Sequence, residues 1–258
     1  MKNFLRTVHI MWYRQIKRFL RARSRVIGSI VQPIFWLIFF GFGFSGTFRM
    51  MSPGGMNRNL DYLPFLVPGV VMMSVFFGSF MSGISVIWDR EFGFLKEVLV
   101  APVSRNATIL GRALGDSTTS VIRGLLILML ASALAPGINL SKIPVVLVSM
   151  VLVALSFTSL GIIIGSKMRS MEGFQLINTF LSMPILFLSG AFYPIQTMPN
   201  WMKAIAMMNP LTYGVDGARI ALTGTGVNSL WTDLIMLSLT SAIFIGASAW
   251  VFRKTTIE

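Results

Sequence analysis

Cysteine is absent from the 258 residues, and histidine occurs once, as His9. The first absence excludes disulfides, iron–sulfur clusters and thiol chemistry. The second excludes a multi-histidine metal site. Charge is also scarce: 12% of residues carry it, roughly half the usual share of a soluble domain. Negative charge is scarcer still, with nine acids against 22 lysines and arginines and a formal net charge of +13. No G-x-x-x-x-G-K-[ST] loop occurs, so the chain has no P-loop for ATP. Asp116 is the only acid near the interior of an apolar run, and Asp233 lies near the outer end of the last one. That is too few for a proton- or sodium-coupled carrier. The two halves show no inverted repeat of broken helices.

What the chain has is apolar surface. Hydrophobic residues make up 54% of it and the mean hydropathy is +0.74. Several runs reach or approach the ~20 residues that cross a bilayer as helix. The pattern predicts an all-α membrane protein with six spans: 26–44 (with Pro33), 63–88 (with Pro64 and Pro68 near its start), 107–135, 143–166, 174–193 (with Pro184) and 230–252. Ser74, Gly78 and Ser82 recur every fourth position in the second span, the spacing that lets membrane helices approach closely. In the third, Arg112 and Asp116 share a face expected in water or headgroups. Arg123 lies deeper and must snorkel or find a partner, for which Asp116 is a candidate.

Residues 1–25 carry eight basic residues and no acid. Phe4, Leu5, Val8, Met11, Trp12, Ile16 and Phe19 share one helical face, opposite Arg6, Arg14, Lys17, Arg18 and Arg21. This predicts an amphipathic interface helix in the headgroup plane. No small-residue cleavage site follows it, so the first span is expected to stay as an anchor. The cations flank apolar runs rather than interleaving with aromatics on a polar surface, which suits membrane lipids and not nucleic acid. Basic residues in alternate loops divide sixteen to five. One side holds the first eight, then Arg90, Lys96, Arg105, Arg112, Lys167, Arg169, Arg253 and Lys254. The other holds Arg49, Arg58, Lys142, Lys203 and Arg219. Both termini, including a short tail at 253–258, are therefore expected in the cytoplasm.

One segment stands out between the second and third spans. Trp88 to Arg105 reads WDREFGFLKEVLVAPVSR and gathers Asp89, Arg90, Glu91, Lys96 and Glu97. Phe92, Leu95 and Leu99 fall at helical spacing, and Pro102 ends the pattern. The stretch reads as an amphipathic cytoplasmic helix at 89–105 offered to a partner. Between the last two spans, 194–229 is too long and apolar for a turn. Pro199 opens a short helical pattern with Trp201, Ile205 and Met208 on one side. Asn209-Pro210 breaks it, and a second runs from Leu211 to Leu222. Neither can span a bilayer, so together they read as a re-entrant pair on the outer face. Gly43-Phe44-Ser45-Gly46 matches a serine-protease-like G-x-S-G pattern. The only histidine, however, lies on the opposite face of the membrane, so no base is placed for catalysis.

Two sets of residues carry a family resemblance. Asp89-Arg90-Glu91, Gly93, Leu95-Lys96-Glu97 and Ala101-Pro102-Val103-Ser104-Arg105 resemble the cytoplasmic signature of ABC-2 type transporter permeases. Asn209-Pro210-Leu211-Thr212-Tyr213, with Asp216 and Arg219, resembles the family's second signature. The resemblance covers nearly the whole chain, with 26–252 as the permease domain. It implies a non-enzymatic membrane subunit that pairs with a second permease, as a homodimer in the favoured reading and with a related permease in the alternative, and binds a cytoplasmic ABC ATPase subunit. That ATPase holds the ATP and Mg, and this chain binds no cofactor. The 89–105 helix would dock on the ATPase, with a second contact through Arg169 and Glu172. The outer half-helices, with Trp201, Asn209, Pro210, Tyr213, Asp216 and Arg219, would gate the pathway. With 21 Phe against 4 Tyr, the content favours an amphiphilic or hydrophobic substrate over a glycan or lipid-linked polymer. A channel or scaffold working without ATP is the reading from a different class.

Overall fold

The computed structural model describes residues 2–43, 62–91, 104–168 and 170–253. Phe92, Leu95, Lys96, Glu97, Leu99, Pro102, Arg169, the 44–46 part of the G-x-S-G pattern and the tail beyond 253 lie outside the described residues. So do the side chains of Arg90 and Arg105. Among the described residues the fold is all helical: α1 Lys2–Arg21, α2 Arg23–Gly43, α3 Tyr62–Phe80, α4 Gly83–Glu91, α5 Arg105–Leu134, α6 Ile143–Lys167, α7 Met171–Phe187, α8 Asn200–Met208, α9 Pro210–Thr223 and α10 Leu230–Arg253. Short 3-10 turns precede α6 and α8.

Helix α3 is the axis of the molecule. Only Pro64, Phe77 and Gly78 along it escape full burial, and it is surrounded by α2, α5, α6 and α9. Phe76 meets Phe157 of α6 edge-on at 4.6 Å between ring centroids. The outer helices show the opposite pattern. Ile27, Val31, Phe35, Ile38, Phe39 and Phe42 of α2 are exposed, as are Trp231, Ile235, Leu239 and Ile243 of α10. Apolar helices exposed along their length require lipid or protein around them. The phenylalanines accordingly divide between core positions such as Phe76, Phe80, Phe157 and Phe174 and outward ones such as Phe35, Phe39 and Phe180.

Among the described residues, five stretches are long and apolar enough to cross a bilayer: 26–43, 62–89, 106–134, 140–167 and 230–251. The expected fifth span at 174–193 is a shorter helix, the 17-residue α7. Beyond its end Gly190 takes a left-handed φ of 72° and the chain turns toward Pro194. The Ser170 hydroxyl caps its start by accepting from the Gly173 amide at 3.1 Å, and Glu172 sits in its first turn, where the helix dipole favours an acid.

The second span is not one uninterrupted helix. It breaks at Met81–Ser82, where Ser82 and Ser85 amides donate to the carbonyls three residues back, at 3.1 and 2.9 Å. The break brings Gly83 backbone-to-backbone against α6. A Cβ on Gly83 would overlap the Gly161 carbonyl, one on Gly161 the Phe80 carbonyl, and one on Gly165 the Gly83 carbonyl. Three glycines thus permit an approach that no side chain allows. Gly161→Val should lower stability by about 1–3 kcal/mol or more, seen as a drop in the thermal unfolding midpoint in detergent. Gly28→Val and Gly246→Val, whose added Cβ would meet nothing within 4 Å, should leave it unchanged.

Candidate coupling site and outer helix pair

The charged stretch begins on α4, and its first acid turns inward. Asp89 is 5% exposed. Its carboxylate accepts from Arg14 of α1 at 3.2 Å and forms an ion pair with the buried Arg112 of α5. Arg112 also donates to the Ser85 carbonyl at 3.2 Å. One carboxylate therefore ties three helices together. Arg112, expected in water or headgroups, is instead 4% exposed. The reason is that a buried acid holds it. Glu91, two residues on, is exposed, as is Glu172 of α7. Both are available to a partner, whereas Asp89 is used within the chain.

Helix α1 is amphipathic as expected, but protein occupies its buried face. Met11, Gln15 and Phe19, four apart, are all buried. They lie along α5, where Gly111 and Gly115 make room. A Cβ on Gly111 would come within 2.5 Å of the Val8 carbonyl oxygen, and one on Gly115 within 2.7 Å of Gln15 Cβ. The Trp12 indole donates to Thr118 Oγ1 at 3.1 Å. Deeper along α5, the Arg123 guanidinium lies 4.9 Å from the centre of the Phe19 ring. A Cβ on Gly78 of α3 would approach Arg123 at 2.9 Å and Ser120 at 3.0 Å, so the small-residue spacing of α3 faces α5.

At the far end of the fold, two short helices, α8 and α9, occupy the stretch where two short helical patterns were expected. Nearly all of α9 is buried between α3, α6 and α10, while Trp201, Ile205 and Met208 leave an exposed apolar edge on α8. The residues of the second signature knit this pair. Asn209 Oδ1 accepts from the Leu211 amide at 3.0 Å, and its Nδ2 donates to the Ile185 carbonyl at 2.6 Å. Pro210 begins α9 and Gly224 ends it at φ 74°, the placement each residue favours. The Tyr213 hydroxyl donates to the Met207 carbonyl at 2.6 Å. Asp216 accepts from the amides of Val227 and Asn228 at 2.9 and 2.8 Å. Arg219 donates to the Gly190 carbonyl at 2.8 Å and stacks 3.9 Å over the Phe65 ring centre. Sequence reasoning did not find Arg14 as a partner of Asp89, nor Asn228, whose side-chain amide donates to the buried Asp233 at 3.0 Å.

Fold and surface define a multi-pass, all-helical membrane protein. Residues 6–223 match the family model described as ABC-2 type transporter, and the chain belongs to that family. It is 32% identical to the transport permease ycf38 of Cyanophora paradoxa over 84% of this chain and 74% of that protein. It is 27% identical to the inner membrane transport permease YadH of Escherichia coli K12, over 83% and 82%. It is 26% identical to the daunorubicin resistance ABC transporter permease protein DrrB1 of Streptomyces coeruleorubidus, over 96% and 86%.

Three substitutions test this geometry. Asp89→Asn leaves Arg112 buried and unpaired and should cost about 3–5 kcal/mol. Arg14→Gln, at a partly exposed position (31% side-chain exposure), should cost no more than about 1 kcal/mol. Thermal unfolding of the detergent-solubilised variants gives the order. Asn209→Ala removes a helix cap worth about 0.5–2 kcal/mol and the bond to Ile185. It should raise the protease sensitivity of the α8–α9 connection while leaving the α1–α5 contacts intact.

Proposed function

We propose that this chain is the membrane-spanning subunit of an ATP-driven exporter. In this reading it crosses the membrane six times, with α7 completing the count, and both termini lie in the cytoplasm. A separate ABC ATPase subunit binds ATP and Mg and docks on the 89–105 segment, with Glu172 and Arg169 in a second contact. Two copies of the chain pair around the pathway. The observation that carries the proposal is the Asp89 tie, set at the start of a charged segment in a chain with no P-loop. Such a segment serves a partner's motion only if it is anchored rigidly at both ends. The structure anchors one end through α4 and the other through α5. Exposed Glu91 at the end of α4 is then a docking contact, setting register by charge.

The substrate we assign is an amphiphilic or hydrophobic small molecule. The support is the similarity along almost the whole chain to a permease named for daunorubicin resistance. Phenylalanine content adds little, because those side chains divide between core and outward surface.

The test is co-expression with an ABC ATPase encoded beside the permease, followed by affinity purification and ATP hydrolysis assays in liposomes. The wild-type pair should co-purify and hydrolyse ATP faster with a transported amphiphile present. The double charge reversal Glu91→Lys with Glu97→Lys should cut ATPase recovery and stimulated hydrolysis at least roughly tenfold, since each charged interface contact contributes over 1 kcal/mol. Unchanged recovery and stimulation would overturn the docking assignment.

A further inference from the structure

A cavity of about 420 Å³ lies between α1, the α3–α4 break and α5, within the ~300–1,000 Å³ of small-molecule sites. Its walls combine three features. The charged groups are Arg18 of α1 and Asp116 and Arg123 of α5. The apolar groups are Phe19, Met81, Ile84 and Trp88. The third feature is a set of buried polar atoms that have no hydrogen-bond partner among the described residues: Gln15 Nε2, Ser82 Oγ and Asp116 Oδ2. Gln15 is only 3% exposed and Ser82 only 9%, so open water does not satisfy them. Each such group costs about 1–3 kcal/mol unless something fills the cavity and bonds to it. The two guanidiniums are held against rings, Arg18 at 5.1 Å from Trp88 and Arg123 at 4.9 Å from Phe19. They are positioned rather than sweeping through solvent.

The chemistry of the occupant follows from this donor and acceptor set. A simple cation at Asp116 would face two guanidiniums. A simple anion would face the Asp116 carboxylate, whose Oδ2 accepts no hydrogen bond among the described residues. A zwitterion with phosphate and primary ammonium answers both, with phosphate to Arg18, Gln15 and Ser82 and ammonium to Asp116. Ala22 in the wall joins α1 to the membrane-length α2, so the cavity sits where the chain enters the bilayer. Its apolar walls suit the upper part of an acyl chain. We propose that this cavity binds the headgroup of an ethanolamine-type phospholipid from the leaflet on the side of α1. The proposal concerns this cavity alone and does not rest on the transport direction or on the ATPase.

The test uses the full chain, delipidated in mild detergent and titrated with defined lipids under native mass spectrometry. Wild type should retain one phosphatidylethanolamine per chain roughly tenfold over phosphatidylcholine, whose trimethylammonium cannot donate a hydrogen bond to Asp116. Asp116→Asn should bring that ratio to within about twofold, and Gln15→Ala should weaken retention of both lipids. Equal wild-type retention of the two lipids would overturn the proposal, and this arm needs no variant to fold. Preference for phosphatidylglycerol would overturn it in favour of an anion site. Displacement of the bound lipid by millimolar glycerophosphoethanolamine would assign the site to a soluble phosphoamine and overturn the lipid source.

Discussion

The Asp89 carboxylate, held between Arg112 and Arg14, is the constraint on which the geometry of this end of the protein depends. Three helices distant in sequence meet at one buried anion. Desolvating a carboxylate and a guanidinium together is costly, and the pair is tolerable only if its remaining hydrogen bonds are made. Arg112 makes one to Ser85, and Arg14 supplies the second cation. The result is specificity of arrangement more than stability: α1, α4 and α5 cannot slide past one another without stranding a charge. A segment that leaves α4 at Glu91 and returns at Arg105 therefore starts and ends on a single braced unit.

That brace acts on a helix fixed by contacts of a different kind. Helix α4 sits against α6 through Gly83, Gly161 and Gly165, where backbone meets backbone. Close packing of this sort resists compression but allows small rotations, because few side chains interlock across it. Displacement of α4 would thus be passed to α6, which packs on α3, α9 and α10. Helix α9 is the base of the α8–α9 pair, and the side-chain bonds from Asn209 to Ile185 and from Arg219 to Gly190 tie it to the chain around the end of α7. A continuous set of packed elements joins the charged end to the outer end, with α3 as the shared core.

The outer pair was legible in the sequence almost to the residue, because its signals are local. Pro199 and Asn209-Pro210 act on their own turns, and caps and breakers need no distant partner; the glycine that ends α9, Gly224, was not read as a signal. The break in the second span was not legible. Gly83 by itself does not mark a break, and the backbone contact that the break permits is to Gly161 and Gly165 on α6, roughly eighty positions away. The inward turn of Asp89 was hidden for the same reason. In sequence it is one of five neighbouring charges, while its partners stand 75 and 23 residues away. The seat of α1 on α5 did leave a signal: Gly111 and Gly115, four apart, carry the small-residue spacing already recognised in Ser74, Gly78 and Ser82. Applied to α5, it points to close packing there, though not to α1 as the partner. Amphipathicity alone cannot distinguish a lipid surface from a protein one, since both cover an apolar stripe equally well.

The cavity and the brace share a turn of helix. The Ser85 carbonyl accepts from Arg112, and Ser85 also lines the cavity, with Ile84 and Trp88 on either side. Arg18, in its wall, lies one helical turn beyond Arg14 on α1. A headgroup in the cavity would therefore touch the same turn of α4 and the same stretch of α1 that the Asp89 tie holds in register. Filling the cavity removes the freedom of α4 to tilt into empty space, and it does so without contributing to the ion pair. The lipid and the brace would then restrain the same motion from opposite sides. On this geometry lipid composition would act on how rigidly α4, and with it the charged segment, is held.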